Sequence, residues 1–407
     1  MKHEFQTCRI ADIAEKVAMG PFGSNIKVET FVPAGVPIIS GAHLKGFYLE
    51  ENDFNFITEE HAQRLKNSIV YPDDIIFTHA GNVGQVAMIP YNCHYPFYMI
   101  SQRQFYLRCN KEKVLPEYLT YYFHSYEGQG KLLSNVSQVG VPSIAQPSSF
   151  LKTIEVPLPL LSVQRRIVNI LDSFTKKIEV NNQINRNLEE QAKAIFKSWF
   201  VDFEPFGGEQ PDDWKKGTIA DLGNVVGGGT PSKAKDEYYC SRGIPWITPK
   251  DLSVNKSKFI SRGQTDISDA GLNNSSAIIM PKGTVLFSSR APIGYIAIAK
   301  NEVTTNQGFK SVVPHPHIGT PFVYLFLKHN LEKIESVASG STFKEVSGGV
   351  MKSIPALIPD NNSLSKFTAQ CQPLFQKQEA LEAENNILQE TRDTLLPKLM
   401  SGEMNLS

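Results

Sequence analysis

Side chains able to do chemistry are plentiful in this 407-residue sequence, but few are spaced as catalysts. The five cysteines (Cys8, Cys93, Cys109, Cys240 and Cys371) never form a C-x-x-C pair, so neither zinc nor disulfides are indicated, and reduced thiols in or near the cores are expected. Gly227-Gly228-Gly229 lacks the G-K-[ST] ending of a phosphate loop and the G-x-G-x-x-G of a dinucleotide fold. A tight backbone turn explains it more simply. Pro72-Asp73-Asp74 could open a metal-dependent nuclease site, but no clear E-x-K follows.

What does cluster is hydrogen-bonding capacity in segments that read as loops. Ser288, Ser289 and Arg290 follow an apolar run and precede Gly294, so they are expected on a loop fixed by a strand. Thr305, Asn306, Gln307 and Lys310 form the next set, and Lys233, Lys235 and Lys250 add positive charge. Earlier in the chain Thr78, His79, Asn82, Gln85, Gln102 and Arg103 occupy comparable places, while Lys27, His43 and Lys45 follow a group of glycines. These residue types read base edges or hold phosphates. Each also has a plainer reading, as solvated surface or as a turn hydrogen bond. His43 and His79 read as hydrogen-bonding groups rather than metal ligands, because no second ligand sits at helical spacing.

The elements that must position these residues come in two copies. Ile10-Ala11-Asp12-Ile13 recurs as Ile219-Ala220-Asp221-Leu222, and Gly35-Val36-Pro37-Ile38-Ile39 as Gly243-Ile244-Pro245-Trp246-Ile247. Leu151-Lys152-Thr153-Ile154 matches Met351-Lys352-Ser353-Ile354. The offset is 208 to 210 early and settles at 200 from Gly140 and Gly340 onward, and an ordered drift of this kind indicates duplication. Within each copy, short β-rich segments such as Asp74–Phe77 and Gln85–Ile89 read as strands, with counterparts at Thr284–Phe287 and Tyr295–Ile298. Leu115–Ser125 and Pro321–Asn330 read as helices.

Two further segments read as long helices in one register. Apolar positions Ile167, Leu171, Phe174 and Ile178 lead through Asn181 and Asn185 to Leu188, Ala192, Ile195 and Trp199, in alternating steps of four and three. The second set is Phe367, Cys371, Leu374, Gln378, Leu381, Asn385, Leu388, Arg392, Leu395 and Leu399, each 200 residues after its counterpart. The helices are therefore expected to pair, with Asn181, Asn185, Gln378 and Asn385 fixing the register of an otherwise apolar seam. Helices of roughly 35 to 40 residues span about 55 Å. Pro373 should kink the second helix or start it late.

Forty-one basic residues balance forty-one acidic ones, which counts mildly against a nucleic-acid binder unless the charges are segregated. Residues 231–262 hold seven Lys or Arg (Lys233, Lys235, Arg242, Lys250, Lys256, Lys258 and Arg262) against three acids. Apolar runs are too short for a membrane span and residues 1–20 show no signal-peptide core, so a cytoplasmic location is expected.

With these motifs in place, the sequence resembles the specificity subunit of type I restriction-modification enzymes over essentially its whole length. The sharpest match is Leu395-Leu396-Pro397-Lys398-Leu399-Met400-Ser401-Gly402-Glu403, similar to the family's closing helix. Gly227-Gly228-Gly229-Thr230-Pro231, Leu286-Phe287-Ser288-Ser289-Arg290 with Gly294, Thr305-Asn306-Gln307 and Gly340-Ser341-Thr342 support it. The first copy matches less cleanly: Gly20-Pro21-Phe22-Gly23-Ser24 and His79-Ala80-Gly81-Asn82 stand where the second has Gly-Gly-Gly-Thr-Pro and Ser-Arg-Ala-Pro.

The resemblance implies an α+β chain with two repeated α/β target-recognition domains in a pseudo-two-fold arrangement, separated by two long helices paired as an antiparallel coiled coil. The expected divisions are 1–160 and 204–359 for the recognition domains, and 161–203 and 360–407 for the spacer helices. The expected partners are double-stranded DNA, two methyltransferase subunits and, in a full complex, restriction subunits. S-adenosylmethionine, ATP and Mg are expected only in those partners, with no cofactor or metal bound by this chain. Two other readings stay open: a coiled-coil scaffold without DNA specificity, and a stand-alone methyltransferase or nuclease.

Overall fold

A computed structural model describes residues 5–137, 140–340 and 344–404; Ser341 and Thr342 of the Gly-Ser-Thr motif lie outside the described residues, as does the side chain of Ser24. The chain divides into two compact units. One comprises Met1–Ile178 and Ile387–Ser407, the other Glu179–Asn386.

In the first unit, strands Ala14–Met19, Gln104–Cys109, Ile75–Thr78 and Val86–Met88 form an antiparallel sheet in that order. A second sheet runs Asn55–Ile57, Val36–Ile39, Tyr98–Ile100, Ile69–Val70, with its central pair parallel. Strand periodicity assigns the apolar side chains. Ile75 and Phe77 point to a core shared with Tyr118, Tyr122 and Phe123 of the helix Pro116–His124. Ile76, between them, joins Ile39, Tyr98 and Ile100 in a core on the other face. A strand buried on both faces must be apolar at every position, which is why this segment shows no alternation.

The second unit repeats the design. Gly223–Gly227, Lys310–Pro314, Val285–Ser289, Ile293–Ala299 and Phe259–Ile260 form one sheet, and Tyr239–Cys240, Thr265–Ile267, Ile244–Ile247 and Thr304–Thr305 the other. Val285 and Phe287 pack with Phe322 and Val323, while Leu286 packs with Ile247 and Phe309. The order of corresponding strands is the same in both units, so the duplication seen in the sequence is a duplication of topology.

The long helices span Leu161–Phe200 and Asn361–Met400, 40 residues each, and every seam position is buried or half-buried. In the first unit Ile167 and Leu171 share a core with Leu395, Leu396 and Leu399. In the second, Asn181 Nδ2 donates to Asn385 Oδ1 at 2.8 Å, and Gln378 Nε2 donates to the Asn185 carbonyl at 3.1 Å. Rising numbers on one helix meet falling numbers on the other, so the helices run antiparallel. Asn185 is only half-buried, but Asn181, Gln378 and Asn385 are buried on the seam as expected. Pro373 does not start the second helix late. The helix begins at Asn361, well before it, and continues past it, because Phe367, Cys371 and Phe375 are held in the core on either side.

Candidate nucleic-acid interface

In the second unit the strand Val285–Ser289 ends at a turn carrying Arg290, and the segment after Thr304–Thr305 returns beside it. Ser289 N–H donates to the Gly308 carbonyl at 2.8 Å, tying the two together. The glycine cluster underlies this arrangement by close approach rather than by a turn. A Cβ on Gly228 would sit 2.0 Å from the Asn306 carbonyl oxygen, and one on Gly229 would sit 2.3 Å from the Ala277 nitrogen. The result is an open cleft of about 500 Å3, bordered by Lys233, Lys250, Arg290, Asn306 and Gln307 together with Thr230, Trp246, Gln264 and Thr265.

Five of the residues chosen from sequence therefore converge on one cleft. Gln307 is exposed and touches the Thr230 hydroxyl, while Lys233 and Lys250 are exposed at the rim. Lys310 stands beside the cleft, 3.3 Å from Glu345, and Arg290 is also 3.3 Å from Glu345. Lys235 does not border the cleft; its ammonium lies 5.0 Å from the ring centre of Tyr238.

Ser288, Ser289 and Thr305 are not on a loop facing outward. All three are fully buried at the ends of strands. Ser288 Oγ donates to the Pro292 carbonyl at 2.8 Å and accepts from Tyr295 N–H, and Ser289 Oγ donates to the Gly308 carbonyl at 3.1 Å. The two serine hydroxyls close the turn from inside and leave nothing for a ligand, whereas the buried Thr305 Oγ1 has no hydrogen-bond partner. Residues 231–262 are likewise less of a cationic patch than the sequence suggested, because Lys258 is buried and Arg262 is paired with Asp266.

The corresponding face of the first unit is built differently. Thr78 is buried, donates to Gln85 Oε1 at 3.2 Å and accepts from Gln104 Nε2. Gln85 spends its own amide on the carbonyls of Gly41 and Leu44. His43 is also buried and serves as a cap: its Nδ1 accepts from Ser40 N–H at 2.9 Å, and the short helix Gly41–His43 follows. Asp251 holds the equivalent place in the second unit, accepting from Thr248 N–H. Thr78, Gln85 and His43 are thus structural, since their polar atoms are consumed by neighbouring backbone and amides.

His79 is half-buried and its Nε2 lies 3.1 Å from the Gln102 carbonyl. Burial lowers the pKa of both His43 and His79, which disfavours their charged forms. Asn82, Gln102 and Arg103 are exposed on adjoining turns, and Lys27 and Lys45 are exposed with Lys45 paired to Glu50. The sequence reading missed Thr230, Gln264 and Glu345. Each becomes visible only when strands distant in sequence are brought together.

Asp73 and Asp74, the start of a possible nuclease site, are occupied elsewhere. Asp74 is buried and bidentate with Arg108 at 2.9 and 2.7 Å, and Asp73 pairs with Lys111. Among the described residues no cluster of three or more His, Cys, Asp or Glu could hold a metal ion, and no helix is long and apolar enough to cross a membrane.

The family model described as the type I restriction modification DNA specificity domain matches residues 2–190 and 211–385. The chain is 40% identical over 172 residues to the type I restriction enzyme MjaIX specificity subunit of Methanocaldococcus jannaschii, a match covering 42% of this chain and 40% of that one. It is 26% identical over 378 residues to the HindI specificity subunit of Haemophilus influenzae, covering 75% and 81% respectively. The crystal structure of a type I restriction-modification S subunit from M. genitalium shares the fold, with a TM-score of 0.58 and 17% identity over 99% of this chain and 97% of that one.

Proposed function

Because the chain belongs to the family of type I restriction-modification specificity subunits, we propose that each of its two modules reads one half of a bipartite, asymmetric DNA site. The observation that carries this reading is the duplicated topology with unlike side chains at equivalent turns. Arg290 stands in one module where Ala80 stands in the other, and different half-sites call for such differences.

Lys233 and Lys250 would meet phosphates, while Arg290, Asn306, Gln307 and Lys310 would meet base edges of one half-site. Gln102, Arg103 and Asn82 would serve the other. The paired helices would set the gap between half-sites and dock two methyltransferase subunits, through which restriction subunits join. Catalysis and its cofactors, S-adenosylmethionine, ATP and Mg, would belong to those partners. The buried and occupied state of Asp74 supports this over a nuclease reading.

Methylation mapping of a genome carrying the chain with its methyltransferase partner tests the proposal directly. The expected result is a motif of two short specified blocks separated by a fixed gap. Deleting seven residues in phase from each long helix removes about 10 Å of rod, or about three base pairs of gap. An unchanged gap would refute the spacing role, and methylation without sequence preference would favour a scaffold.

A further inference from the structure

Two cations of the second module converge on one carboxylate. Glu345 Oε2 accepts from Arg290 Nη1 and Glu345 Oε1 accepts from Lys310 Nζ, each at 3.3 Å. One oxygen serves each cation, so neither contact is a two-pronged pair. Lys310 also donates to the Gln307 carbonyl at 3.4 Å, on the turn that borders the cleft.

Glu345 and the residue after it are held by backbone hydrogen bonds. Glu345 N–H donates to the Ser339 carbonyl at 2.9 Å, and Ser339 N–H donates back at 3.1 Å. Val346 N–H donates to the Ser289 carbonyl at 3.0 Å, one residue before Arg290. The carboxylate is thus mounted on the strand end that presents the guanidinium. In the first module the matching bond runs from Ile144 N–H to the His79 carbonyl, which sets Ser143 opposite Ala80. Neither an acid nor a cation stands there.

A single contact leaves most of the five guanidinium donors of Arg290 open, enough for two bonds to a guanine edge. A phosphate approaching the same cations meets a fixed negative charge, whereas a base edge carries no charge to repel. We propose that Glu345 is a specificity-determining residue of the second module, positioning Arg290 and Lys310 for a base edge and penalising their capture by phosphate. The inference rests on the DNA-reading role proposed above.

The test uses the full chain with its methyltransferase partner and duplexes built on the mapped motif, intact or with one half-site scrambled, titrated across a salt series. Glu345→Gln should bind the duplex scrambled in the second half-site about tenfold more tightly, with a log–log salt slope steeper by about one. Its discrimination at the second half-site should fall while that at the first holds, and Glu345→Asp should restore part of the wild-type pattern. Discrimination in Glu345→Gln that is unchanged, or lost equally at both half-sites, overturns the inference while wild-type preference keeps the DNA-reading role intact. A wild-type complex without sequence preference overturns both.

Discussion

A phenylalanine and a lysine stand at the same structural position in the two modules. Met88 N–H donates to the Phe47 carbonyl at 2.9 Å, and Ile298 N–H donates to the Lys258 carbonyl at 2.8 Å. In the first unit the Phe47 ring packs 4.1 Å from the ring centre of Tyr121, whose hydroxyl bonds Asp172 and Thr175 of the long helix. In the second, Lys258 Nζ reaches Glu189 at 2.9 Å and Gln378 at 2.8 Å, and lies 3.2 Å from the ring centre of Phe375. The Glu382 carboxylate accepts from the backbone N–H of both Lys258 and Phe259. At this position one module meets the helix through an aromatic pair and a tyrosine hydroxyl, the other through a buried ammonium. The copies have diverged in how they are held as well as in what they present, so grafting one surface onto the other would not carry its mounting along.

The largest expected effect separates these mountings. Lys258→Ala leaves the half-buried Glu189 without its ion-pair partner, held by the hydrogen bonds of Tyr324 and Gln378, and should cost roughly 3 kcal/mol of unfolding free energy in denaturant titrations. Lys258→Met combined with Glu189→Gln should recover most of that loss, because removing both charges removes the penalty. Phe47→Ala should cost a similar amount, roughly 3–5 kcal/mol, through the cavity it leaves, and no charge change elsewhere should rescue it. Rescue of Phe47→Ala by neutralising Asp172 would erase the distinction.

Smaller effects are expected at the reading faces. Arg290→Ala should cost roughly 1–3 kcal/mol of discrimination at one half-site and leave the other untouched, read from methylation profiles. Arg103→Ala should do the converse. If both substitutions act on the same half-site, the assignment of one module to each half fails.

A separate effect is a pH dependence that traces to Lys258 in the second unit. Burial, opposed by Glu189, lowers the Lys258 pKa from 10.5 to about 8. Its folded value therefore lies below its unfolded one, and across that window the unfolded chain binds more protons. This contribution to unfolding free energy should rise as pH climbs from about 8 to 10.5. The Lys258→Met, Glu189→Gln variant should show a flatter profile, and an equal slope in both would remove Lys258 as the cause.

The parts of this molecule legible from sequence are those written in local periodicity. The heptad seam from Ile167 to Trp199 carried the phase of the long helices and the expectation that they pair, because burial on a helix repeats every three or four residues, while their antiparallel sense came from the family resemblance. The strands around Ile76 and Leu286 were legible as apolar runs between turn residues. Lys258 was not, since in sequence it is one basic residue among seven and its partners lie 69 and 120 residues away. Ser288 and Ser289 misled for the same reason: a hydroxyl beside a glycine-rich turn faces outward or inward according to which distant carbonyl it meets. His43 shows the limit well, because only its bond from Ser40 N–H in the folded chain reveals a cap.

The first unit is assembled from both ends of the polypeptide. Leu396, Leu399 and Met400 belong to the same core as Ile10 and Phe77, whereas the second unit is one unbroken stretch, Glu179–Asn386. During synthesis, the module that leaves the ribosome first must wait for the last few turns of helix before its interior can close, while the module made later can finish sooner. A chain cut after residue 386 would thus keep every residue of the second unit and lack the part of the first core that Leu396, Leu399 and Met400 supply.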